Sequence, residues 1–72
     1  MKLKFTTTYT LEGAWYVAHC VELGVTSQGK TLEEAEKNLR EAIDLYLEDA
    51  PAEELGRFSK LPLIKMLDID MA

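Results

Sequence analysis

Polar and apolar residues alternate from the start of the chain. Over residues 2–10, Leu3, Phe5 and Tyr9 fall on one side with Thr7 among them, and Lys2, Lys4, Thr6, Thr8 and Thr10 on the other. A period of two with several threonines predicts a half-buried strand. Leu11-Glu12-Gly13 is a short connection suited to a hairpin turn. Residues 14–20, rich in aromatic and β-branched side chains, predict a second strand, with Trp15 and Val17 on one face and Tyr16, Ala18 and Cys20 on the other. Residues 23–28 predict a weaker third strand that ends at Gly29.

The period then becomes helical. Leu32, Ala35, Leu39, Ala42, Ile43, Tyr46 and Leu47 recur at spacings of three and four and predict a helix that ends near Glu48 or Asp49. Thr31 and Glu34 have the spacing of a capping box at its start. Glu33 with Lys37, and Glu36 with Arg40, stand four apart in the favourable order. Pro51 stops the helix, and residues 52–55 have room for one further turn before Gly56. Residues 58–62 predict a linker anchored by its apolar side chains. Residues 63–69 predict a fourth strand, with Leu63, Leu67 and Ile69 on one face, interrupted by Lys65, and Ile64 and Met66 on the other, followed by Asp68 and Asp70.

The order β-β-β-α-β predicts an α+β domain, a mostly antiparallel sheet with one main helix packed on one face. Residues 1–72 are read as one domain. One helix covers only one face of so small a sheet, yet both faces of the second strand carry apolar or aromatic side chains. Trp15 and Tyr16 are therefore candidate contacts for another copy or a partner, with ordinary, partly exposed sheet aromatics as the alternative.

Charge sharpens this picture. The net charge is −5, but residues 31–56 alone carry −7, nine acids against Lys37 and Arg40, while the segments before and after each carry +1. An acidic surface repels phosphates and favours a basic partner, so Glu33, Glu36, Glu41 and Asp44 are candidate partner-binding residues. A solvated helix face is the alternative reading. The high apolar share, 47% in 72 residues, points to self-association as a homodimer or larger. A single cysteine, Cys20, permits no internal disulfide and fits a reducing, cytoplasmic setting. No signal peptide is evident, and no apolar stretch is long enough to cross a bilayer.

Residues 14–48 carry a resemblance. The runs Trp15-Tyr16-Val17-Ala18-His19-Cys20-Val21-Glu22-Leu23-Gly24, Gly29-Lys30-Thr31-Leu32-Glu33-Glu34-Ala35 and Leu45-Tyr46-Leu47-Glu48 resemble the N-terminal domain of the HicB antitoxin family. Val21 stands where that family usually has proline. The resemblance implies a partial RNase H-like fold without nuclease function, and a role in neutralising a HicA-type toxin that cuts messenger RNA. Many HicB proteins continue into a DNA-binding domain, for which this sequence leaves no room, so DNA binding is not expected of it.

Other chemistry is sparse. An RNase H-type nuclease needs several carboxylates converging on two metal ions, and outside the helical region only Glu12, Glu22, Asp68 and Asp70 are at hand. His19 and Cys20 are neighbours on a strand and point to opposite faces, so they form no dyad. One histidine and one cysteine cannot supply an ordinary zinc site within one copy. Gly29-Lys30-Thr31 lacks the earlier glycine of a phosphate loop, and Gly29 is read as a turn residue feeding the helix cap. No cofactor, metal or catalytic residue is expected. The leading expectation is a protein-binding antitoxin, followed by an orphan regulatory or scaffold domain of the same fold. A small metal-dependent nuclease or ligand-binding module using His19 or the carboxylates stands last.

Overall fold

A computed structural model describes residues 2–59 and 62–71. Three strands, β1 (Thr7–Glu12), β2 (Trp15–Cys20) and β3 (Val25–Gly29), are followed by helix α1 (Leu32–Glu48), the short helix α2 (Ala52–Leu55) and a 3-10 turn (Gly56–Ser59). The strands form an antiparallel sheet in the order β1-β2-β3, with α1 across one face. This is the expected α+β arrangement.

The register explains the strand ends. Glu12 pairs with Trp15, so Gly13 and Ala14 form a two-residue turn, and Gly13 has φ 62°. Such a turn matches the sheet twist only with a positive φ at its first position, which glycine supplies without strain. At the other end Thr7 pairs with Cys20. Beyond Cys20 the chain turns through residues 21–24 towards β3, so residues 2–5 overshoot the available partner. The strand expected over residues 2–10 therefore starts only at Thr7, and it runs on to Glu12, taking in Leu11 and Glu12 that were expected in the connection. The overshooting segment is tied down elsewhere. The Thr6 amide and hydroxyl both donate to the Glu22 carboxylate at 2.7 Å, and the Lys4 amide donates to the Phe58 carbonyl.

Helix α1 begins as expected, with the Thr31 hydroxyl accepting the Glu34 amide at 3.0 Å. Ala35, Leu39 and Ile43 are buried, and with Ala18 and Cys20 of β2 they make the core, against which Phe5, Tyr9, Tyr16, Leu23, Val25 and Leu47 pack. Leu32 and Tyr46, expected in the same stripe, are 45% and 47% exposed. The reason is length. Seventeen helical residues span about 26 Å, whereas the five residues of β3 span about 17 Å. The first turn of α1 therefore projects past Gly29, while near its other end Leu47 still packs against the core and Tyr46 beside it does not.

Gly29 is the last residue of β3 rather than a turn residue. A Cβ there would lie 2.5 Å from the Ala35 amide nitrogen and 2.8 Å from the Glu34 carbonyl carbon. The helix backbone lies directly on the strand, and only glycine admits that approach.

After α1 the chain is pinned again at Phe58, which is buried with its ring centroid 5.1 Å from that of Phe5. The anchored linker thus holds as far as Ser59, and Lys60 and Leu61 lie outside the described residues. The expected fourth strand is not part of the sheet. Residues 62–71 have no strand partner and are exposed throughout. Strand alternation creates the capacity to pair but does not say which edge is taken, and here the segment lies off its own sheet.

Candidate protein interface

The two edges of the sheet differ. The Val21 amide donates to the Thr6 carbonyl at 2.9 Å, in register with the β1–β2 ladder. Alternation along that ladder then turns the backbone groups of Thr8, Thr10 and Glu12 towards β2, and those of Thr7, Tyr9 and Leu11 outward. At the β3 edge, α1 packs closely and Asn38 donates its side-chain amide to the Gln28 carbonyl at 2.8 Å. Among the described residues the β3 edge is partly occupied and the β1 edge is open.

Beside β1 runs a groove of about 440 Å³. Leu3, Phe5 and Tyr9 line one side, and Leu39, Ile43 and Leu47 of α1 the other. Glu36, Arg40 and Asp44, one helical turn apart along the same flank, line the groove with these apolar residues. The acids expected at an interface thus divide. Glu36 and Asp44 share the groove, while Glu33 and Glu41 are exposed on α1 outside it. Charge counting pointed to the helix but not to this division, and it missed Arg40 and the N-terminal apolar residues. The apolar set of residues 2–10 was the available signal.

The two candidate aromatics point to opposite faces. Tyr16 shares its face with Ala18 and Cys20 and packs half-buried against the core. Trp15 is 40% exposed on the face away from α1, with the Lys30 ammonium 5.8 Å from its ring centroid. They do not form one patch. The face away from α1 is also more polar than β2 alone suggests. Val17 lies between Thr10 and Gln28, and His19 between Thr8 and Thr26. The His19 Nδ1 sits 2.9 Å from the Thr26 hydroxyl.

The remaining reactive groups have structural surroundings. Burial pushes the Cys20 thiol up, against hydrogen bonds from the backbone at Leu23 and Glu22 that pull it down. Burial also raises Glu22, but the hydrogen bonds from the Thr6 hydroxyl and amide outweigh it and leave the carboxyl below its ordinary range. Glu22 is committed to Thr6, and Asp68 and Asp70 lie on the exposed segment 62–71. Among the described residues, no group of three or more His, Cys, Asp or Glu side chains is placed to hold a metal ion. No helix among them is long and apolar enough to cross a membrane.

Comparison with known proteins yields one informative relative. The chain is 57% identical over 37 residues to a UPF0150 protein of Helicobacter pylori (strain J99), and the match covers 51% of each chain. The chain thus spans about half the length of this curated relative. No protein-family model matches it, and no solved structure does.

Proposed function

We propose that the chain is a protein-binding domain of the antitoxin type, which uses the outer face of α1 to cover the RNA-binding surface of a small basic toxin of the HicA kind. The observation that carries this reading is the segregation of charge. The −7 of residues 31–56 lies on α1, α2 and their junction, where Glu33, Glu41 and their acidic neighbours are exposed. A protein that binds RNA presents positive charge, and opposite charge speeds encounter and specifies register. The HicB-like residues at 14–48 support this reading. In it the protein acts in the cytoplasm, where its single buried thiol stays reduced.

The test is co-purification. The tagged chain is expressed with its flanking genes, and whatever elutes with it is identified by mass spectrometry. A small basic partner that arrests growth when expressed alone, and is released by raised salt, is the expected result. The double variant Glu33→Lys/Glu41→Lys should keep its far-UV spectrum while losing capture and growth rescue. A chain that elutes with no such partner is the orphan domain instead. Capture indifferent to the double reversal would remove the helix face from the interface.

A further inference from the structure

The segment 62–71 and the groove beside β1 are complementary. Leu63, Leu67, Ile69 and Met71 are 91%, 84%, 69% and 90% exposed, and they share one side of an alternating segment, a side on which only Lys65 is polar. The groove offers an apolar floor, Glu36 and Asp44 with Arg40 between them on its helix side and, along β1, the outward backbone groups of Thr7 and Tyr9, with those of Leu11 just beyond it. A strand added there would set its apolar side chains against Leu39, Ile43 and Leu47, with Lys65 meeting one of Glu36 and Asp44, which stand two helical turns apart with Arg40 between them. Its other side would carry Asp68 and Asp70 to solvent, together with Ile64 and Met66.

The chain does not fill this groove with its own segment. Its radius of gyration is 14.3 Å and its longest dimension 44 Å, whereas a compact chain of this length has a radius near 11 Å. Phe58 packs on Phe5, a groove residue, and the segment 62–71 is exposed throughout. We propose that two copies exchange these segments, each adding residues 62–71 as a fourth strand to the β1 edge of the other, in a two-fold dimer. The strand expected from the sequence is then formed between chains rather than within one. Exchange is isologous, so one contact is made twice and both open edges close together. The inference stands apart from the proposed toxin surface, because it uses Glu36 and Asp44 and leaves Glu33 and Glu41 free.

A charge swap across the two copies tests it. One variant carries Lys65→Glu and the other Glu36→Lys/Asp44→Lys, and every altered side chain is exposed, so folding is checked by far-UV circular dichroism. By sedimentation, the wild-type chain should be a dimer, and each variant alone should dimerise at least about tenfold more weakly. Mixing the two should restore the dimer, since both exchanged contacts then join opposite charges. A third variant, Leu67→Asp, should weaken dimerisation and should not be rescued by either charge variant. A wild-type chain that stays monomeric at all concentrations overturns the proposal. So does a dimer untouched by all these changes, whose interface lies elsewhere, or a mixture that fails to re-form.

Discussion

Glu22 shows how much a loop residue can hold. Its carboxylate takes both the amide and the hydroxyl of Thr6, and so ties the start of the chain to the β2–β3 connection. Because its pKa is lowered in the fold, the charged form is favoured by the folded state. The stabilisation is complete above the unfolded value of 4.5 and is lost as pH falls through the lower folded value. Thermal melts of Glu22→Gln should therefore lie below wild type at neutral pH and converge with it in acid. A gap that persists unchanged at the acid end would mean that the side chain acts by shape rather than charge. Gly29 makes the opposite point, a residue that matters through what it lacks. Gly29→Ala places a methyl group against the helix backbone at Glu34 and Ala35, and the helix must shift. A loss of about 1–3 kcal/mol in denaturant melts is expected. Neither role was legible from the sequence. Glu22 read as a loop acid and Gly29 as a turn, because a pairing across 16 positions and a helix–strand approach leave no local pattern.

At the scale of elements, what depends on neighbouring residues was legible and what depends on distant ones was not. The α1 start is local. Thr31 caps the Glu34 amide as the spacing indicates, and Thr31→Ala should cost about 1 kcal/mol of unfolding free energy, with Thr31→Ser restoring most of it. The hairpin turn at Gly13 and the short turn after Pro51 are local too, and both form. The limits of the helix core stripe are not local. Tyr46 has the right phase but stays 47% exposed while Leu47 beside it packs against the core, and no periodicity within α1 reports where the other elements will lie beneath it. The segment 63–69 has a strand's alternation without a strand's partner, since alternation says which side chains share a face and nothing about which edge receives them. The candidate interface divides in the same way. Acid on α1 is countable from the sequence, whereas the placing of Glu36 and Asp44 along an apolar groove follows from where residues 3–9 run.

For the molecule as a whole, burial is the deciding quantity. Among the described residues the buried apolar set is Ala18, Cys20, Ala35, Leu39, Ile43 and Phe58, three of them small. A chain of this length seldom gains more than a few kcal/mol from one core. The same chain exposes Leu63, Leu67, Ile69 and Met71 on one side of its last segment, and burying each such side chain contributes about 1.5–3 kcal/mol. Placed in the groove of a second copy, those four residues would stabilise the fold by an amount comparable to the core itself. Folding and association would then be linked, and a stability that rests on association depends on concentration. Each tenfold rise in protein adds about 1.4 kcal/mol per dimer, so the Tm of the full chain should climb by several degrees between dilute and concentrated samples. Removing residues 62–72 should lower the Tm and flatten that dependence together. A full-length Tm that ignores concentration while the chain remains folded and monomeric would show that the small core is sufficient alone, and that the exposed segment serves some surface other than its own twin.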